Sequence, residues 1–174
     1  DSVKAILEEY AEKAPGGYWK LKPLETKEEE TKMHTQMEIN LANVGKNSGY
    51  TIWCADRTFH PDLKASCIRN LDFDVPNLER IKKIDVLWIK GKKIKYAFEV
   101  ENSTSMTSAL ERCSNLPDVD TKKVIVLPKT REKFFERKMS EPLFSNTWND
   151  DNWSKIWYYS LESFNAKDIE EIME

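Results

Sequence analysis

Three acidic side chains stand inside two stretches that otherwise have the pattern of buried β-strands. Asp85 lies in the apolar run 84–89, and Glu99 and Glu101 lie in the run 96–101. A carboxylate in an apolar strand is costly to bury unless a metal ion or another cation compensates its charge. Oxygen ligands of this kind suit hard divalent cations such as Mg²⁺. The pattern therefore indicates a metal-assisted site.

A β-hairpin is the element that positions these acids. A three-residue loop at 91–93 predicts that Asp85 lies opposite Glu99 and that Lys83 lies opposite Glu101. Opposed residues have Cβ atoms roughly 5 Å apart, so two carboxylates repel each other unless a cation joins them. A two-residue loop would shift the pairing by one and lose this match. The other face of the predicted hairpin is wholly apolar and carries Ile84, Val86, Trp88, Tyr96, Phe98 and Val100.

The elements around the hairpin follow from apolar periodicity. Their order predicts an α/β domain, a mixed central sheet flanked by helices. Residues 1–32 are expected to be an N-terminal helical extension or linker, and residues 33–174 the main domain. The predicted helices are 2–14, 33–44 with Glu38, 106–116, 131–140 and 163–173, a short helical piece is expected within 55–80, and the predicted strands are 50–54, 122–127 and 156–161.

The composition is that of an ordinary globular protein. The chain has 174 residues, of which 40% are hydrophobic and 33% are charged. It has neither an apolar run of membrane-spanning length nor a signal peptide, and three cysteines form no disulfide framework, so a cytoplasmic location is expected. His34 and His60 suit acid–base chemistry or zinc, but the gaps from His60 to Cys54 and Cys67 are too long for a usual zinc site. Because the first residue is Asp1, a fragment of a larger protein is expected.

Positive charge is concentrated in the half that contains the hairpin. Residues 80–138 hold 15 Lys and Arg against 8 Asp and Glu, a balance of +7. Because the net charge of the chain is −3, the remaining residues carry a balance of −10. Basic clusters commonly neutralise phosphates, and such binding depends strongly on salt. A solvated lysine-rich face is the alternative interpretation.

The residue pattern resembles the PD-(D/E)XK nuclease superfamily, which has the restriction-endonuclease-like fold. The matching residues are the helix acid Glu38, Asp85 in the hairpin and the step Glu99-Val100-Glu101. The resemblance covers about residues 33–162, and the runs 98–105 and 110–112 are similar to a restriction-endonuclease branch. Ile84 stands where the family has proline, and Glu101 stands where it has lysine.

The resemblance implies a metal-dependent DNA endonuclease of a restriction or related defence system. Asp85, Glu99 and the backbone carbonyl of Val100 would hold Mg²⁺, for which Mn²⁺ would substitute, and Glu38 would complete the shell through water. The ion would polarise a phosphodiester oxygen and activate a water molecule. With Glu101 in place of lysine, water activation would fall to that carboxylate or to a second metal ion, so the expected catalytic residues are Asp85, Glu99 and Glu101.

DNA is the partner that the resemblance implies, together with further domains or an associated methyltransferase. A homodimer is left open, and no membrane partner is expected. The expected DNA contacts are Lys83, Ser103, Thr104, Ser105 and Arg112. Two alternatives also stay open: a nuclease-fold DNA-binding module that has lost its chemistry, and a protein-interaction domain. Single residues also have structural alternatives: Asp85 could cap a strand or pair with Lys83, and Glu38 and Arg112 could be ordinary surface residues.

Overall fold

The computed structural model describes residues 11–13, 15–21, 27–101, 106–158, 169 and 171. Its contacts divide the chain into two compact units, residues 1–31 and 32–174. In the first unit, strand β1 (Ala11–Lys13) pairs antiparallel with β2 (Trp19–Leu21). The predicted helix over 2–14 is wrong at residues 11–13, and residues 1–10 lie outside the described residues. Gly16 and Gly17, both with positive φ, reverse the chain between the strands.

The second unit alternates helices with strands. Its first helix is α1 (Lys27–Asn47). The predicted terminal helix at 163–173 lies outside the described residues, apart from Ile169 and Glu171, which are helical. The remaining elements are β3 (Thr51–Cys54), α2 (Pro61–Ser66), α3 (Leu78–Ile81), β4 (Val86–Lys90), β5 (Lys93–Val100), α4 (Met106–Cys113), β6 (Lys122–Pro128), a 3₁₀ turn (Lys129–Arg131), α5 (Glu132–Met139), α6 (Pro142–Asp150) and β7 (Trp153–Tyr158).

A five-stranded sheet with the order β3-β4-β5-β6-β7 forms the centre of this unit. The first three strands pair antiparallel, whereas β6 lies parallel to both β5 and β7. Parallel neighbours need crossover connections. The connection from β5 to β6 contains α4, and the connection from β6 to β7 contains α5 and α6. The predicted fold class, an α/β domain with a mixed sheet flanked by helices, is confirmed.

Apolar side chains bury both faces of the sheet. On one face, α1 contributes Met37 and Leu41 to a cluster with Trp88 of β4. The indole Nε1 of Trp88 donates a hydrogen bond to the carbonyl of Leu41 at 3.1 Å. The helix can approach so closely because Gly45 has no side chain: a Cβ there would lie 2.4 Å from Nε1 of Trp88. On the other face, the helices α4, α5 and α6 contribute Met106, Ala109, Leu110, Cys113, Phe135, Met139, Phe144 and Trp148.

The β4–β5 hairpin has the predicted register from Val86 to Trp88, but its loop differs from the predicted loop. Val86 pairs with Phe98 and Trp88 with Tyr96, as predicted. The loop has two residues, not three, and a bulge after Trp88 compensates for the shorter loop, because Ile89 then pairs with Ile94.

The predicted apolar face of the hairpin is right except at its first residue. Ile84 is buried in the opposite core cluster, not with Val86 and Trp88. Strand β4 begins at Val86, so the alternation of a strand does not extend back to Ile84.

Among the helices that the structure describes, none combines the length and the apolar character needed to cross a membrane.

Candidate active site

Asp85 lies in the turn between α3 and β4, next to the point where the pairing of β4 with β5 stops. Its Oδ2 accepts the N–H of Val100 at 2.7 Å, and its backbone carbonyl accepts the N–H of Ala55 at 3.0 Å. The carboxylate therefore replaces a strand partner at the end of β5. These two bonds fix Asp85 between the end of β5 and the turn that follows β3.

Glu99 is fully buried and is bound by an arginine from the next helix. Nε of Arg112 donates to one carboxylate oxygen at 2.8 Å, and Nη2 donates to the other at 2.6 Å. Burial, with the nearby charge of Asp85, raises the pKa of Glu99, whereas the two N–H donors of Arg112 oppose that rise. The carboxylate therefore gains from any additional cation.

Glu101 lies immediately beyond β5 and is also buried. Its backbone N–H donates to the carbonyl of Val126 at 3.0 Å, and its Oε1 lies 3.5 Å from Nη2 of Arg112. The predicted pairing of Lys83 with Glu101 is wrong, because Lys83 is exposed in the turn after α3, before β4 begins. Arg112 is thus a cation that Glu101 shares with Glu99.

His34 connects the helix acid to the hairpin. Its Nε2 lies 3.4 Å from Oδ2 of Asp85, and its Nδ1 lies 3.7 Å from Oε2 of Glu38. Burial lowers the pKa of His34, but the carboxylates of Asp85 and Glu38 outweigh it and raise the pKa to about 11. The imidazole is therefore a cation at neutral pH.

Glu38 is buried on α1, one helical turn after His34. Burial raises the pKa of Glu38 to about 7, although His34 acts in the opposite direction. His34 is absent from the predicted site. The signal that points to it is its i,i+4 spacing from Glu38, which places both side chains on one face of the helix.

The predicted DNA contacts have different outcomes. Ser103, Thr104 and Ser105 lie outside the described residues. Lys83 is exposed, so its DNA contact stays a prediction. Arg112 is positioned against Glu99 and Glu101, with 27% of its side chain exposed.

The hairpin end therefore combines three acids with two cations. Asp85, Glu99 and Glu101 supply carboxylate oxygens. Positive charge comes from His34 on α1 and from Arg112 on α4. Carboxylate oxygens suit divalent cations, and a carboxylate near a reacting water can accept its proton. The arrangement is thus capable of metal binding and of proton transfer.

Comparison with known proteins points to one family. The model of the Type II restriction enzyme NmeDI C-terminal domain matches residues 19–170. The chain is 30% identical over 133 residues to the Type II restriction enzyme NmeDI of Neisseria meningitidis serogroup C, a match that covers 65% of this chain and 38% of that protein. The chain thus spans well under half the length of this relative. No solved structure matches the chain.

Proposed function

Because the chain belongs to the family of the Type II restriction enzyme NmeDI C-terminal domain, we propose that it is a metal-dependent DNA endonuclease domain of the PD-(D/E)XK type. The observation that carries this proposal is the burial of Glu99 beside Asp85 at the end of an apolar hairpin. Two neighbouring carboxylates in such a place are costly without a cation. A metal ion bound by the two carboxylates would offset this cost and would assist phosphodiester hydrolysis, the reaction of a restriction nuclease.

The residues at the hairpin end fit a divalent cation such as Mg²⁺ or Mn²⁺. Arg112 uses one direction on each oxygen of Glu99, and a carboxylate offers about four lone-pair sites in total. Asp85, Glu99 and the backbone carbonyl of Val100 would hold the ion. When bound, it supplies Lewis-acid polarisation of a phosphodiester oxygen and a lowered pKa for a bound water.

The superfamily carries a lysine at the position of Glu101. In this chain Glu101 and Arg112 together take over the two roles of that lysine, activation of the water and stabilisation of negative charge. Glu101 accepts the proton of the attacking water. Arg112, which lies 3.5 Å from Glu101, keeps positive charge beside the reacting phosphate. His34 orients Asp85 from the side of α1.

A second candidate function is DNA binding without cleavage. The observation that favours it is the bidentate ion pair between Arg112 and Glu99, which compensates the buried carboxylate without a metal. In this case the acids and Arg112 stabilise the docking of α4, and the basic half of the chain holds DNA. Protein interaction within a larger assembly is the third alternative.

The test is cleavage of supercoiled plasmid DNA with Mg²⁺ or Mn²⁺. Asp85→Asn and Glu99→Gln keep the size of each side chain and remove its charge, so we expect cleavage to fall by at least about a hundredfold. Asp120→Asn, at an exposed acid in the turn before β6, serves as the matched control and should cleave normally.

The outcomes separate the three functions. Metal-dependent cleavage that both site variants lose supports the nuclease. Salt-sensitive DNA binding with no cleavage by the unmodified chain favours the second candidate. An absence of DNA binding at low salt contradicts both and leaves protein interaction.

A further inference from the structure

A second cluster of potential ligands lies beside the hairpin acids, on the side of α1. His34 and Glu38 are one helical turn apart on that helix, and Asp56 lies in the turn that follows β3. The bond from the N–H of Ala55 to the carbonyl of Asp85 holds this turn in place. One ligand atom from each of the three side chains lies within 4.8 Å of the other two. In the part of the chain that the structure describes, this is the only group of three or more His, Cys, Asp or Glu side chains that meets this distance.

Glu38 gives independent support for a ligand at this cluster. Its side chain is fully buried, and neither carboxylate oxygen has a hydrogen-bond partner among the described residues. The ion pair that it does have, with Nδ1 of His34, is long at 3.7 Å. A buried carboxylate without hydrogen bonds is costly, so a cation bound at its oxygens would remove an existing energetic penalty.

We propose that His34, Glu38 and Asp56 form a binding site for a divalent transition-metal ion such as Mn²⁺ or Zn²⁺, separate from the hairpin carboxylates. One imidazole nitrogen and two carboxylate oxygens form a mixed ligand set. Such a set suits transition metals, whereas Mg²⁺ prefers oxygen ligands alone. Three protein ligands leave coordination positions for water or for a phosphate oxygen.

The orientation of His34 fits this role. The nitrogen that faces Glu38 is Nδ1, and Nε2 faces Asp85 at 3.4 Å. A metal-bound histidine usually donates its other ring N–H to a carboxylate, and Asp85 is in position to accept it.

The experiment measures Mn²⁺ binding to the full chain, stripped of metal, from the loss of the electron paramagnetic resonance signal of free Mn²⁺. Excess Mg²⁺ is present throughout, because it occupies any oxygen-only site at Asp85 and Glu99. We expect one Mn²⁺ per chain, and we expect added Zn²⁺ to release it, since Zn²⁺ binds nitrogen ligands more tightly. The readout is independent of DNA cleavage, so the site stands or fails separately from the nuclease.

Substitutions locate the ion. Glu38→Gln and Asp56→Asn should each weaken Mn²⁺ binding by about tenfold or more, since even the loss of a residue that only orients a ligand costs roughly 10- to 100-fold. Asp62→Asn, an exposed acid on α2, is the matched control and should bind normally. Asp56 lies in a loop, so its variant remains informative if Glu38→Gln does not fold.

Two results would overturn the proposal. One is the absence of Mn²⁺ binding in excess Mg²⁺. The other is binding that Glu99→Gln abolishes and Asp56→Asn preserves, because the ion would then lie at the hairpin.

Discussion

Arg112 reaches from α4 to two buried acids, Glu99 and Glu101, and its planar guanidinium forms two parallel bonds with Glu99. A buried ion pair contributes less to stability than its short distances suggest, because both charges lose their hydration. Removing one partner is nevertheless strongly destabilising, since the other charge is left buried alone. The pair therefore makes the docking of α4 depend on Glu99.

Arg112→Gln should lower the free energy of unfolding by about 3 kcal/mol, because Glu99 loses its two charged donors. Urea denaturation measures the change. In the double variant with Glu99→Gln the loss should be smaller by at least about 1 kcal/mol, since the buried charge of Glu99 is removed together with its partner.

The matched control is Arg80→Gln on α3, which breaks an ion pair with Glu111, a residue of α4 like Arg112. Both side chains of that pair are more than half exposed, so the free energy of unfolding should change by less than about 1 kcal/mol. An equal loss in the Arg80 and Arg112 variants would contradict the role given to burial.

The sequence predicts some members of this site but not others. Asp85 and Glu99 are predictable because strand alternation makes a carboxylate conspicuous among apolar residues. His34 and Arg112 come from helices on opposite faces of the sheet, and their meeting with the acids depends on how those helices dock. No local pattern encodes such docking, so the ion pairs appear only in the structure.

At the scale of elements, the hairpin shows how a correct register can rest on an incorrect loop. The pairs from Val86 to Trp88 are predictable because that register places the large side chains of Val86, Trp88, Tyr96 and Phe98 together on one apolar face. The two-residue loop and the bulge compensate for each other, so the apolar pattern is the same with or without them. Helix α6 is likewise absent from the prediction; it begins at Pro142, and only two residues separate it from the end of α5 at Met139.

Gly45→Ala should destabilise the protein although alanine is the better helix former. The gain in helix propensity is about 1 kcal/mol. A Cβ at this position would lie 2.6 Å or less from Ile52 and Trp88, so α1 must shift, and overpacking of this kind costs roughly 1 to 3 kcal/mol. We expect a net loss of about 1 kcal/mol and a lower melting temperature by circular dichroism.

Lys46→Ala, at the neighbouring exposed position, is the control for Gly45→Ala and should leave stability nearly unchanged. A Gly45→Ala variant that melts above the unmodified protein would contradict the close approach of α1 to Trp88.

At the scale of the whole molecule, the α/β architecture is the most predictable property. Alternating apolar runs of helical and strand period give the element order, and that order favours a mixed sheet between helices. The ribbon at residues 11–21 is not predictable in the same way. Ala11 continues the helical spacing of the residues before it, and the strand pairing with residues 19–21 overrides that local pattern.

The charge asymmetry also belongs to the whole molecule. Residues 80–138 carry a balance of +7, and Lys83 is exposed within this region. If this half binds DNA, Lys83→Ala should weaken the affinity several-fold and reduce the slope of log affinity against log salt by about 1. Fluorescence anisotropy with labelled duplex DNA at several salt concentrations measures both.

The control is Lys64→Ala, an exposed lysine on α2 outside the basic half. Identical salt slopes for Lys83→Ala and the unmodified chain would exclude Lys83 from the DNA contact.

The mixed pairing of the sheet has a consequence for the order of folding. The β4–β5 hairpin closes over a two-residue loop, whereas β6 joins β5 only through the crossover that contains α4. The hairpin can close pair by pair from this loop toward Asp85 and Glu99, whereas Arg112 reaches Glu99 only when α4 packs against the face of the assembled sheet, so we expect the two acids to come together before Arg112 arrives. Arg112→Gln should then speed unfolding more than it slows folding. The acids assemble while water still screens them, and their counter-charge arrives only when the crossover closes.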